Sequence, residues 1–558
     1  MSVLQTFRED VRKSLDMALK TLGVEVPSPP LSEPPAEMGD LSSTVAFELA
    51  SRLRRSPMDI ARDLAANATK RGLIDRVDAV NGYLNFHLDY NEAAGLIIKE
   101  VLHEGDGYGR GRNKGKIILE HTSANPDGPL HIGHGRNAII GDTLARVLRF
   151  SGYDVETHFY VNDMGKQLAV VVWGLRRFKL DLQKKKDAAV AEVYVKANQL
   201  LEEDEAAQGE IGELIKRYEE GDEDVEKEFR EAAEYCLSGI RETLNRLGIG
   251  HDRYVWESRF VRDSSVSKVL EKLRKTRYAK KNEVLSLDLR SFGLEKELVL
   301  TRSDGTHLYA TRDIAYHIWK ANLGRVIDIL GADHKLLANQ LRAVHSILGV
   351  PEPEVIIYEF ITLPEGSMST RRGVFISVDD LLEESVRRAY AEVDKRRGES
   401  PRKLKEEIAE AVGVAAVRFN ILRIAPEKPM VFRWEEALDF ERQGSPFVQY
   451  AYARACRILE KETPPDAFSV KELSENEKAL LRAIGRFPDI VEQASDSRKP
   501  SLLAGYAVDL ADCFHRFYMF EPVLKSGKKD FRLNLVQAAK ITLGNLLQLM
   551  GIQALEKM

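Results

Sequence analysis

Residues 116–161 restrict the fold of this chain more than any other stretch. Lys116-Ile-Ile-Leu-Glu120 reads as a short buried strand. Ile140, Leu144, Val147 and Leu148 then share one face of a helix that ends near Gly152, and Val155, Thr157, Phe159 and Val161 alternate as a second strand. Two strands joined through a helix form a parallel pair, and such crossovers are right-handed. In an open parallel sheet ligands bind beyond the carboxyl ends of the strands, which puts residues 120–136 at the mouth of a site.

A chain of 558 residues is too long for one hydrophobic core and implies about three or four domains. Hydrophobic residues make up 44% and charged residues 30%, and no apolar run approaches the ~20 residues that cross a bilayer, so a membrane protein is excluded. The first ten residues carry charge and no long apolar stretch, unlike a secretory signal. Cys236, Cys456 and Cys513 are too few and too scattered for a disulfide framework or a zinc ribbon, which points to a reducing, cytoplasmic setting and to no metal site. A net charge of -5 gives no global sign of phosphate binding, so any contact with nucleic acid must be local. Isolated basic runs such as those at 184–186, 274–281, 395–397 and 525–529 are more often solvated faces than binding sites.

Along the chain, Phe7, Val11, Leu15, Ala18 and Leu19 follow a helical period, and prolines between 27 and 35 mark an extended connection. Tyr83–Leu88 alternates like a strand, and the Gly-rich 105–111 segment reads as a domain boundary. Residues of about 175–285 are long, acidic and helical, as in an insertion. Strand-like sequence returns at 284–289, 298–300 and 326–330, read here as the second half of the nucleotide-binding domain. Beyond about 380 the patterning is almost entirely helical.

Between the first strand and its helix runs His121-Thr-Ser-Ala-Asn125-Pro-Asp-Gly-Pro-Leu-His131-Ile-Gly133-His134-Gly135. A helix amino terminus offers backbone N–H groups to a phosphate, and Gly133 lets an adenine ring come close to the backbone. His131 and His134 can donate hydrogen bonds to an α-phosphate as it gains charge. The same His-x-x-His is also read as a capping pair or as metal ligands at i and i+3; no His-Glu-x-x-His or cysteine cluster accompanies it. Gly331-Ala-Asp333-His334 follows another apolar strand and so faces the same mouth, with a helix cap by Asp333 as the plainer alternative.

With these residues the chain resembles the class I aminoacyl-tRNA synthetases, His131-Ile-Gly-His134 standing as their HIGH element. The run from Glu120 to Asp142 is similar to the arginine-specific family. The resemblance extends over nearly the whole chain. It includes Asn162-Asp-Met-Gly-Lys-Gln167, Leu308-Tyr-Ala-Thr-Arg-Asp-Ile314, Gly39-Asp-Leu-Ser42, Asn81-Gly-Tyr-Leu-Asn-Phe86, Phe447-Val-Gln-Tyr-Ala-Tyr-Ala-Arg454 and the ending Leu549–Met558. It implies an α/β protein of four parts. These are an α+β tRNA-binding domain at 1–112, a Rossmann-type parallel-sheet catalytic domain at 113–380 with the helical insertion, a helical connection at 381–435, and an α-helical anticodon-binding bundle at 436–558. It also implies an ATP-dependent arginine–tRNA ligase, a cytoplasmic monomer whose partners are arginine, ATP with Mg²⁺ and tRNA(Arg).

Arginine presents five donors in a flat fork and asks for carboxylate and aromatic or carbonyl partners. Tyr309 and Asp313, four apart on one helix face, fit that demand, although a packed ring and an exposed carboxylate are the plainer readings. The resemblance gives both to the arginine side chain, Asn125 to the substrate backbone and Glu120 to the orientation of the pocket. It gives ATP to His131, Gly133, His134, Gly331, Asp333, His334, Met368 and Ser369. The second class I element, Lys-Met-Ser-Lys on a mobile loop in the family, is altered here: Gly366-Ser-Met368-Ser369-Thr-Arg371-Arg372 keeps Met368 and Ser369 and has Ser367 and Thr370 at the lysine positions. Some relatives carry a compensating lysine where this chain has Gly128, so Arg371 and Arg372 are taken as the substitutes. Tyr450, Arg454 and Arg457 share a helix face suited to unstacked bases and phosphates, or equally to a core ring with snorkelling arginines. The resemblance assigns them, with Met558, to tRNA. The rivals are a tRNA-binding paralogue with little catalysis, a nucleotidyltransferase acting on a small metabolite and, weaker still, a metal hydrolase.

Overall fold

The computed structural model describes residues 2–203, 205–303, 306–362, 364 and 376–558. The strand–helix–strand unit forms as expected: Lys116–Glu120 pairs in parallel with Asp154–Val161, and the helix Ile132–Phe150 crosses between them. Gly152 takes φ +100°, and a Cβ there would lie 2.8 Å from the carbonyl of Asn113, so this turn requires glycine. Ile117, Leu119 and Val155 from the sheet pack on Ile140, Leu144 and Leu148 from the helix. Each contributes about 1.5–3 kcal/mol by leaving water.

The sheet has five parallel strands, in the order Glu354–Tyr358, Arg325–Gly331, Lys116–Glu120, Asp154–Val161, Arg253–Trp256. The chain order reverses between Arg325–Gly331 and Lys116–Glu120, so the switch point lies beside Glu120.

Two expectations are corrected here. The span read as a continuous helical insertion contains Arg253–Trp256, an edge strand of the main sheet; four residues between a helix end and a charged turn carry too little periodicity to be recognised. The segments at 284–289 and 298–300 do form strands, but in a separate small antiparallel sheet, where Leu285–Leu287 pairs with Ala279–Lys281 on one side and Leu298–Val299 on the other. Alternation announces a strand and says nothing about its partner.

Before the catalytic region stand the helix Val3–Thr21, closed by a Ser2/Gln5 capping box, and a three-stranded antiparallel sheet. After it, the antiparallel helices Val378–Arg396 and Arg402–Leu422 lead to a bundle of Ser445–Leu459, Glu475–Gly485, Phe487–Ser497, Ser501–Phe520 and Lys529–Leu549. Arg418, fully buried, binds these parts together. Its guanidinium donates to Asp142 Oδ2 at 2.6 Å in the His131 helix, to the Leu247 carbonyl at 2.7 Å and to the Met550 carbonyl at 2.9 Å. No described helix is long and apolar enough to cross a membrane.

Candidate active site

Glu120 ends its strand and the backbone turns at once: Thr122 and Ser123 take φ of +71° and +39°. A β-branched residue in the left-handed region is a strained position, and here the surroundings hold it. Asn137 of the helix accepts the Thr122 N–H at 2.8 Å and donates to the Ile329 carbonyl at 2.9 Å, while Ser123 Oγ donates to Glu120 at 2.9 Å and accepts the Tyr160 N–H at 3.0 Å. This strained turn opens a cleft of about 580 Å³ above the switch point. Glu120, Asn125, His131, Gly133, His134, Tyr309, Asp313, Gly331, Asp333 and His334 all line it.

The histidine pair is arranged differently from the sequence expectation. His131 is the N-cap of the helix, and its Nδ1 accepts the N–H groups of Gly133 at 3.0 Å and His134 at 3.2 Å. Those backbone donors are therefore engaged by the imidazole, which bears out the capping alternative for His131. A Cβ on Gly133 would lie 2.8 Å from His131 Cε1, so glycine is needed here for the ring to fold over its own backbone. The His134 ring stacks on His131 with centroids 3.5 Å apart. Burial, reinforced by His131, pushes His134 down to about 3, and burial also lowers His131 against the pull of Asp333. Both rings are thus neutral donors near neutral pH.

On the opposite wall, Tyr309 and Asp313 start the helix Tyr309–Ala321, with Tyr309 37% and Asp313 6% exposed. Below them lies a buried ion network: Lys320 Nζ contacts Glu120 Oε2 and Asp328 Oδ1, each at 2.6 Å, and His317 lies 3.0 Å from Asp328 Oδ2 and 3.2 Å from Asp313 Oδ1. The gap among Glu120, His317 and Asp328 would suit a cation, and the Lys320 ammonium fills it. Sequence reasoning missed His317 and Lys320. The polar stripe Tyr309, Asp313, His317, Lys320, running down one face of the helix at helical spacing, was the available signal. It also missed Tyr160, whose buried hydroxyl faces the cleft without a hydrogen-bond partner, as does Asn162 Oδ1.

Asp333 and His334 sit on a short 3₁₀ turn at the mouth, 3.6 Å apart, and Asp333 caps no helix. No lysine or arginine lines the cleft among the described residues. A side chain on Gly128 would meet Ala191 Cβ of the insertion at 3.1 Å, so the position that carries lysine in some relatives is closely packed here. Met368, Ser369, Arg371 and Arg372 lie outside the described residues. The approach to their segment is fixed by Arg136 of the His131 helix, whose guanidinium donates to the carbonyls of Glu359 at 2.5 Å, Phe360 at 3.2 Å and Lys428 at 2.9 Å.

Far from this cleft, Tyr450, Arg454, Arg457 and Met558 line a second one of about 1100 Å³, joined by Arg396 and Arg397. Arg454 donates to Tyr518 Oη at 2.7 Å and bonds Tyr450, and Arg397 holds the Met558 carbonyl at 2.6 Å.

Three family descriptions match the chain: "Arginyl tRNA synthetase N terminal domain" at 5–88, "tRNA synthetases class I (R), catalytic domain" at 97–434, and "DALR anticodon binding domain" at 448–558. The arginine–tRNA ligase of Methanothermobacter thermautotrophicus is 49% identical over 99% of both chains, and that of Methanocaldococcus jannaschii 50% identical over 93% of this chain and 94% of its own. The solved arginyl-tRNA synthetase of Thermus thermophilus superimposes with a TM-score of 0.85 at 30% identity, over 99% of this chain and 100% of that one. A strained switch-point cleft with two stacked neutral histidines on one wall and buried carboxylates on the other, carried on a chain matched in this way from end to end, belongs to the arginyl-tRNA synthetases, the class I arginine–tRNA ligases.

Proposed function

We propose that in this ligase the carboxylate wall of the cleft takes the arginine side chain and the histidine wall takes ATP, so that the two meet above Glu120. The observation that carries this reading is that both walls line one cleft at the switch point of the sheet. Asp313 pairs with the guanidinium, the Tyr309 ring lies beside it, Asn125 binds the amino acid backbone, and Glu120 orients the pocket through Ser123 and Lys320. Asp333 and His334 contact the ribose or adenine at the mouth.

The arginine carboxylate attacks the α-phosphorus of ATP, the bond to the β-phosphate oxygen breaks, and pyrophosphate leaves. The tRNA ribose hydroxyl then displaces AMP from the arginyl-adenylate. No protein nucleophile is needed. His131 and His134, being neutral, donate N–H bonds to the phosphate oxygens as charge builds, and their stacked, capped arrangement sets the donors in place beforehand. The charge on pyrophosphate is met by Mg²⁺ arriving with ATP and by Arg371 and Arg372 beside Met368 and Ser369; the absence of lysine or arginine from the described lining supports this. The cleft of Tyr450, Arg454, Arg457 and Met558 receives the anticodon. In this reading the chain works as a cytoplasmic monomer.

The test is charging of total tRNA with each of the twenty amino acids, with ATP and Mg²⁺. Label from arginine alone is expected. Label from another amino acid would sink the Tyr309–Asp313 pocket, and no label from folded protein that still binds tRNA would favour the non-catalytic paralogue.

A further inference from the structure

The helix that carries Asp313 and the strand Asp154–Val161 meet through two stacked tyrosines, Tyr316 and Tyr160, with ring centroids 4.3 Å apart and planes 14° from parallel. Both rings are buried, and their hydroxyls end differently. Tyr316 Oη lies 3.3 Å from His158 Nδ1, inside the core. Tyr160 lines the cleft, and its Oη has no hydrogen-bond partner among the described residues. A phenylalanine would fill the same space against Tyr316 without leaving a buried hydroxyl unpaired, so the tyrosine is kept at a cost to the free protein. The ring is also fixed in place: the Tyr160 N–H donates to Ser123 Oγ at 3.0 Å, and that hydroxyl donates to Glu120 at 2.9 Å. Burial, reinforced by Glu257, Tyr309 and Asp313, raises the phenol well above its ordinary value, so the group is neutral.

The substrate supplies what this hydroxyl lacks. A guanidinium offers five N–H donors, and a carboxylate takes two of them in a fork. Asp313 therefore leaves three over. Glu120 is already engaged, with Oε1 accepting from Ser123 and Oε2 from Lys320 Nζ at 2.6 Å. The buried oxygens of the lining that have no partner are Tyr160 Oη and Asn162 Oδ1, at the carboxyl end of one strand. A neutral oxygen accepts a donor without adding charge to a wall that already holds Glu120, Asp313 and Asp328.

We propose that Tyr160 is a specificity-determining residue for arginine: its hydroxyl oxygen accepts a guanidinium N–H that Asp313 leaves over. This rests on the assignment of Asp313 to the guanidinium. The hydroxyl is paired only by a ligand that brings a donor to that place, so the pocket disfavours side chains that bring none.

The test is Tyr160→Phe in the full-length protein, read on stability and on binding together. Y160F should melt at the wild-type temperature or above it, because an unpaired buried hydroxyl is removed. Its Kd for arginine in calorimetric titration should weaken by about ten- to a hundredfold. KM for ATP in tRNA charging should hold. Agmatine, which has the guanidinium of arginine without the carboxylate, should weaken as a competitor by the same factor, which places the bond at the guanidinium end. Unchanged arginine affinity in Y160F would overturn the proposal, as would agmatine competition that stays at wild-type strength. A clear drop in melting temperature would mean that the hydroxyl is already bonded within the protein, and would overturn it too. Asp313→Asn separates the two layers. Full-strength arginine binding in D313N means that the pocket assignment itself is wrong, whereas weakened binding in D313N with full-strength binding in Y160F means that only the role of Tyr160 is.

Discussion

The two walls of the cleft handle charge in opposite ways. The wall proposed for arginine is built from ion pairs: Glu120, Lys320, Asp328, His317 and Asp313 form a chain of contacts at 2.6–3.2 Å, all buried. The wall proposed for ATP keeps its histidines uncharged: His131 and His134 are neutral and stacked, His131 caps their helix, and among the described residues this wall holds Asp333 at the mouth but no lysine or arginine. The substrates explain the contrast. A guanidinium is the same before and after adenylate formation, so its partners can be fixed and paired in advance. Pyrophosphate exists as a separate charged group only once the bond breaks, so on the proposed reading its counter-charge comes from Arg371 and Arg372 of the second class I element.

The largest expected effect falls on the charged wall. Asp313→Asn should lower kcat/KM for arginine by about a thousandfold, seen in arginine charging, because one partner of a buried pair is lost while the KM for ATP holds. His134→Ala should reduce adenylate formation by about 10²–10³-fold with arginine binding intact, as read by single-turnover kinetics; unchanged activity would remove His134 from the mechanism. The double variant Arg371→Ala/Arg372→Ala should lose on the order of ten- to a hundredfold in kcat with arginine KM nearly constant, and a loss confined to arginine KM would move these residues to the other wall.

The smallest effect is on stability and concerns pH. His134, pushed to about 3 by burial and His131, and His251, pushed to about 4 chiefly by burial, are neutral when folded and become protonated on unfolding below their ordinary value near 6.5. Their contribution is complete above about pH 6.5 and is lost progressively as pH falls toward 4, by roughly 1.4 kcal/mol per residue per pH unit at most. Urea denaturation between pH 7 and 5 measures it; stability that rose on acidification would contradict the neutral-histidine wall.

How much of this was legible in the sequence depended on whether a feature is local. The strands Lys116–Glu120 and Asp154–Val161 and the helix between them could be read from periodicity, and the His131–His134 element from its place after a strand. The edge strands could not. Arg253–Trp256 is short and charged at its start, and Glu354–Tyr358 follows two prolines, so each is a strand only because a neighbour supplies hydrogen bonds. The capping role of His131 was visible as an alternative, yet that the same ring could cap and face the cleft needed coordinates. Lys320 meets Glu120 across 200 residues of chain, and no spacing rule announces such a contact.

The comparison of the two walls is tested most directly by one substrate pair, arginine and citrulline, assayed on three proteins by kcat/KM in tRNA charging. The wild type should strongly prefer arginine. The preference should fall toward parity in Asp313→Asn and survive undiminished in Arg371→Ala/Arg372→Ala, although that variant is slow with both. Discrimination kept by D313N, or lost in the double variant, would contradict the division of labour between a charged wall that selects and a neutral wall that reacts.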